Sequence, residues 1–130
     1  MTTIVEFDGA SRGNPGPAGI GYRVLPDGDG VEGHEYIGKA TNNEAEYTAL
    51  IRGLESALEK GYSEVIAEGD SQLVVRQVRG QYNVGADNLI PLYKEARTLV
   101  EEFDEFEIRH VKRSKNEGAD DLANEALDER

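Results

Sequence analysis

The side chains of this sequence with chemistry to offer are carboxylates. Cysteine is absent, which excludes a disulfide framework, a thiolate metal site and a cysteine nucleophile. The two histidines, His34 and His110, fall in runs that read as strands and are expected to be structural. Asp8 follows the β-rich run Thr3, Ile4, Val5, Phe7 and precedes a breaker cluster, Gly9, Gly13, Asn14, Pro15 and Gly16, which puts it at or near a strand's end. Asp70 follows EVIAEG (64–69) with the same logic, a carboxylate delivered at the C-terminal tip of a strand, where ligands of α/β sheets gather. Glu46 lies on the inward stripe of a helix, and Asp120 and Asp121 flank the apolar side of another. Each has a purely structural alternative. Asp8 would be a turn residue, Asp70 a helix N-cap, and the 120–121 pair a solvated face. Glu46 either is desolvated and in need of a cation, or sits on the wet rim and complements the helix dipole for at most about 1 kcal/mol.

The elements that must position these groups follow from periodicity and breakers. After the first strand, AGIGYRVL (18–25) and residues 32–40 read as two more strands joined by the PDGDG turn (26–30), giving an antiparallel meander. PDGDG lacks the spaced ligands and terminal Glu of a calcium loop. Thr41 with Glu44 forms a capping box that opens a helix. Its apolar positions Ala45, Ala49, Leu50, Gly53, Leu54, Ala57 and Leu58 recur at helical spacing, and Gly61 stops it. Residues 64–69 form a fourth strand, 71–79 a helix, 81–88 a loop, 89–104 a helix with Pro91 near its start, and 107–111 a last strand. Asn116 to Asp128 is an acidic helix with Ala119, Leu122, Ala123, Ala126 and Leu127 on one side.

At 130 residues and 38% hydrophobic content, the chain fits a single domain (1–130) able to bury a core. It opens without a basic and apolar leader and contains no apolar run of about 18 residues, so a soluble cytoplasmic monomer is expected. The charge is unusual: 26 acidic against 14 basic residues, a net of −12. Phosphate binding ordinarily leaves a basic footprint, so either the protein never meets a polyanion or its acidic surface answers another demand. Solubility where molar salt cuts the Debye length to about 3 Å is one such demand, and five Lys against nine Arg suit it.

Four stretches, in order and spanning essentially the whole chain, resemble the ribonuclease H type 1 family. They are DGASRGNPGPAG (8–19), TNNEAEYTAL (41–50), GDSQLVV (69–75) and NEGADDLAN (116–124). The resemblance implies an α/β ribonuclease H-like fold, a five-stranded mixed sheet of three antiparallel strands and then two parallel ones, flanked by helices. It also implies a catalytic and metal-binding set of Asp8, Glu46, Asp70 and Asp120, with Asp121 as an adjacent control. Carboxylates drawn to one cleft repel and hold protons above their usual range. Two Mg²⁺ or Mn²⁺ ions about 3.5–4 Å apart would relieve this and serve an in-line displacement. The implied activity is endonucleolytic hydrolysis of the RNA strand of an RNA/DNA hybrid, leaving a 5′-phosphate and a 3′-hydroxyl.

Gly9, Gly13, Asn14, Thr41, Asn42, Asn43 and Gln72 match family positions that contact the hybrid. Their amides and hydroxyls would read 2′-hydroxyls and phosphates without demanding a sequence, and Gly9 and Gly13 would let the main chain approach the RNA strand. In two respects the chain departs from the family pattern. The segment KRSKNE (112–117) has no histidine where many members carry a histidine-bearing loop, and Arg113 is the candidate substitute, a group that stabilises charge but does not shuttle protons. Residues 81–88 lack the basic, aromatic extension that some members use on the DNA strand, so hybrid binding should be weak and metal-dependent. The implied member is a short form from a salt-adapted archaeon. The alternative is a non-catalytic hybrid-binding or interaction module on the same fold, for which a missing carboxylate would be the sign; all four positions are occupied.

Overall fold

The computed structural model describes residues 2–130. Its first strand, β1 (Thr3–Ser11), runs past the point where the glycine cluster was expected to end it. Gly9, Ala10 and Ser11 continue the ladder against Ile20, Gly19 and Ala18 of β2 (Gly16–Leu25). Asp8 therefore lies inside a strand, paired with Gly21 of β2. β3 (Val31–Ala40) completes the meander, and α1 (Asn42–Glu59) follows at once.

The expected capping box forms: Glu44 N–H donates to Thr41 Oγ1 at 3.1 Å, and Thr41 N–H donates to Glu44 Oε1 at 2.8 Å. The helix ends at Gly61, whose φ of +84° lets Tyr62 N–H reach back to the Ala57 carbonyl at 3.1 Å. Leu50 and Leu54 are buried against Val5, Phe7, Ile20 and Val24, each contributing about 1.5–3 kcal/mol.

The second half is β4 (Glu64–Gly69), α2 (Gln72–Val78), α3 (Ile90–Val100), β5 (Glu105–His110), a 3₁₀ turn (Arg113–Lys115) and α4 (Glu117–Asp128). The sheet order is β3-β2-β1-β4-β5. β1 and β3 run antiparallel to β2, while β4 is parallel to β1 and β5 to β4. This is the expected mixed sheet. Two boundaries in this half differ from expectation by two residues or more. α3 stops at Val100 because the chain tightens through Phe103 N–H to the Val100 carbonyl, 3.2 Å, and then hands Asp104 N–H to the Ser63 carbonyl, 2.9 Å. β5 consequently starts at Glu105, which pairs with Glu64, and not at Glu107.

α1 packs on one face of β1 and β2, and α4 crosses the other face over β1, β2 and β3. The α4 residues expected to face inward, Ala119, Leu122, Ala123, Ala126 and Leu127, are all buried. Among the described residues no helix is long and apolar enough to cross a membrane.

Candidate active site

Three carboxylates from three elements meet at the end of the β1–β4 junction. Asp8 comes from the middle of β1, Glu46 from the first turns of α1, and Asp70 from the residue after β4; one oxygen of each lies within 4.8 Å of the others. Asp120, in the first turn of α4, lines the same cleft of about 400 Å³, with Arg12, Asn42, Arg113 and Asn124. Its neighbour Asp121 is exposed on the outer side of the helix.

Close backbone approaches make this convergence possible. Gly9 is buried, and a Cβ there would stand 2.2 Å from the Ala45 carbonyl carbon. The space freed at Gly9 is thus taken by α1, which brings Glu46 beside Asp8.

Burial settles the placement of Glu46, and a hydrogen bond settles that of Asp70. Glu46 is only 6% exposed, so it is desolvated and not on the rim. Its Oε2 has no hydrogen-bond partner among the described residues. Asp70 is not the cap of α2: Ser71 is, its Oγ accepting from Val74 N–H at 3.3 Å.

Electrostatics follow from crowding. The Asp8 carboxyl is pushed up to about 7, first by burial and further by Asp120 and Asp70, with a hydrogen bond from Glu46 pulling partly the other way. Burial, then the charge of Asp8, holds Glu46 well above the usual carboxylate range. The buried, unpartnered Glu46 oxygen and the all-carboxylate donor set are what a hard divalent cation takes. The residues present therefore fit such an ion.

The remaining predicted positions divide. Asn14 Oδ1 accepts from Asn42 N–H at 3.0 Å, and Asn42 Oδ1 accepts from Ser11 N–H at 2.9 Å. Both amides tie their carbonyl ends to the β1–β2 turn and the start of α1, leaving Nδ2 on an exposed surface. Gly13, with φ of +131°, shapes that turn. The Thr41 hydroxyl is committed to the helix cap. Asn43 is half-buried, and Gln72 is exposed in the first turn of α2. Arg113 reaches the cleft from the 3₁₀ turn, Nη2 standing 3.4 Å from Asp120 Oδ1 with the side chain 78% exposed.

Two cleft residues escaped the sequence reading. Asn124 donates from Nδ2 to the Asp120 carbonyl at 3.0 Å and to its Oδ1 at 3.4 Å; its place four residues after Asp120 on one helix face was the available signal. Arg12 lines the cleft and pairs with Asp128 at 2.6 Å.

The sheet order and the carboxylate cleft at its centre define a ribonuclease H-like protein. A family model described as reverse transcriptase-like matches residues 6–126. The sequence is 52% identical over 126 residues to ribonuclease HI of Halobacterium salinarum, covering 95% of this chain and 63% of that protein. The crystal structure of RNase H1 from the same halophilic archaeon superposes with a TM-score of 0.95 at 48% identity, covering 100% of both chains. LC11-RNase H1, crystallised in complex with an RNA/DNA hybrid, superposes with a TM-score of 0.91 at 40% identity, covering 98% of this chain and 97% of that one. The chain belongs to the reverse transcriptase-like family, in its ribonuclease H type 1 branch. It spans 63% of the length of the Halobacterium relative and 36% of that of a bifunctional protein of Mycobacterium tuberculosis, to which it is 44% identical.

Proposed function

We propose that this chain is a metal-dependent endonuclease that hydrolyses the RNA strand of RNA/DNA hybrids. The observation that carries the reading is the meeting of Asp8, Glu46 and Asp70 within 4.8 Å around an unpartnered buried oxygen. A structural cluster of this kind would be neutralised by a Lys or Arg, and the cations lining this cleft, Arg12 and Arg113, sit on its rim, paired with Asp128 and Asp120. Likeness to LC11-RNase H1, which takes an RNA/DNA hybrid, supports the substrate.

In this reading, water adds across the scissile P–O3′ bond, leaving a 5′-phosphate on one product and a 3′-hydroxyl on the other. Asp8, Glu46, Asp70 and Asp120 would hold two Mg²⁺ or Mn²⁺ ions, which when bound supply an activated water and charge stabilisation at the leaving oxygen. The protein's own groups orient and select. Nδ2 of Asn42 in the cleft and of Asn14 beside it, together with Asn43 and Gln72, would offer neutral groups suited to 2′-hydroxyls and phosphate oxygens. Arg113 meets phosphate charge beside Asp120 and, being permanently protonated, does not move protons. A sparse positive surface makes hybrid binding weak without the cations, and the net charge of −12 suits a salt-rich cytoplasm in which a monomer works.

The test is Mn²⁺- or Mg²⁺-dependent cutting of an end-labelled hybrid by the protein and by Asp70→Asn and Asp121→Asn. Asp70→Asn should abolish cleavage and Asp121→Asn should retain most of it. Cutting by Asp70→Asn, or equal loss in both variants, refutes the site.

A further inference from the structure

We propose that Asn116 is a positioning residue that holds Asp70 to β1 and sets the spacing of the carboxylate cluster. The residue is 0% exposed. It stands just before α4, where an Asn normally accepts a hydrogen bond from the first helical turn, yet its side chain makes no cap bond. Its amide is used differently. Nδ2 donates to the Phe7 carbonyl at 2.9 Å and to Asp70 Oδ2 at 3.3 Å. Both partners are acceptors, so the nitrogen is the end that faces them.

The location explains the need. The parallel ladder between β1 and β4 ends at the Glu6–Glu68 pair, so beyond it no strand pairing ties the peptide before Asp8 to the residue after β4. Asn116 Nδ2 spans that opening. Its main-chain carbonyl meanwhile accepts from Asp120 N–H at 3.0 Å, the bond that begins the turn carrying Asp120. One side chain thus touches the backbone adjoining Asp8 and the carboxylate of Asp70, and its own backbone starts the turn of Asp120. The amide does this without charge, orienting Asp70 while leaving the carboxylates' negative charge for a cation. Asn116 Oδ1 is buried without a partner among the described residues, a cost that a residue kept only to start a helix would avoid by turning its oxygen to the free N–H groups.

The inference rests on the proposed role of Asp70, and the experiment separates the two. Asn116→Ala removes the bridge; Asn116→Ser also removes it but keeps a good cap for α4 and so protects folding. For each variant and for Asp70→Asn, three quantities are measured on the full chain: kcat and KM for hybrid, Mn²⁺ binding by calorimetry without substrate, and melting temperature. We expect both Asn116 variants to lose about tenfold or more in kcat with KM changed by less than about threefold, and to bind Mn²⁺ about tenfold more weakly. A lower melting temperature with wild-type kcat and Mn²⁺ affinity in the Ser variant would overturn the inference, leaving Asn116 a packing residue. Retained cutting and Mn²⁺ binding in Asp70→Asn would instead overturn the functional reading beneath it.

Discussion

Gly21 stands opposite Asp8 in the β1–β2 register, and a Cβ on Gly21 would lie 2.5 Å from the Ala119 carbonyl oxygen of α4. α4 thus rests directly on the backbone of β2, and the next residue along it is Asp120. The absence of one side chain sets how near the two carboxylates come.

Gly21→Ala should therefore damage the site more than the fold. The obstructing atom belongs to a helix backbone, so α4 must lift, at about 1–3 kcal/mol. A displacement near 1 Å at a reacting centre costs about 100-fold in rate. Gly85→Ala is the control, since nothing lies within 4 Å of a Cβ at that position. Hybrid cleavage and thermal melting of the two variants provide the check; wild-type turnover in Gly21→Ala would mean that the seating of α4 does not govern catalysis.

Arg113→Ala makes the opposite separation. With the side chain 78% exposed and its nitrogen 3.4 Å from Asp120, the pair contributes at most about 1 kcal/mol to stability. The melting temperature should hardly move, while turnover falls about 100-fold, the scale of losing one charge-stabilising donor. Arg113→Lys should recover only part, because a point charge does not replace a planar guanidinium at a phosphate. Unchanged turnover in Arg113→Ala would remove the residue from the site.

How much of this was legible in the sequence depends on how local each cause is. The capping box of Thr41 and Glu44 and the buried stripe of α1 are set by neighbours three and four residues apart and were read correctly. Of the glycines expected to end β1, Gly13 does shape the turn, but Gly9 continues the strand, and its lack of a side chain answers to α1, about 36 residues away in sequence. Glu46 kept two readings because its burial is created by β1 and by Asp70, not by its own helix. Asn116 was invisible for a related reason. An Asn before a helix looks like a cap, and its actual partners, Phe7 and Asp70, are 109 and 46 residues distant.

Stability should depend on salt in a definite direction. The net charge is −12, and ion pairs such as Arg12–Asp128 and Arg52–Glu35 are surface pairs that offset little of it. Shortening the Debye length from about 10 Å to about 3 Å screens the self-repulsion. The melting temperature in chelator should rise between dilute buffer and molar KCl, by about 4 °C for each kcal/mol recovered. A flat or falling curve would disconnect the acidic surface from salt adaptation.

The crowded carboxylates also make the metal-free protein sensitive to pH, and the sign is fixed by linkage. Asp8 titrates near 7 in the folded chain, raised first by burial, against about 4 when unfolded. Below pH 4 both states hold the proton, so this group costs nothing. Between about pH 4 and 7 the unfolded chain releases it while the folded chain keeps it, and stability falls by up to about 1.4 kcal/mol per pH unit. Above that range the loss is complete, and Glu46, raised in the same direction, extends it. Melting temperatures in chelator should accordingly decline across this window and level off beyond it. Asp8→Asn should flatten the decline and melt higher than wild type near pH 8. Asp121→Asn, which removes the same charge from an exposed position, should keep the slope. Mg²⁺ should raise the wild-type melting temperature strongly near pH 8 and weakly near pH 5, where protons compete for the same oxygens, and should do little for Asp8→Asn. An equal slope in Asp8→Asn and Asp121→Asn would assign the pH response to overall charge and leave the buried cluster without a part in it.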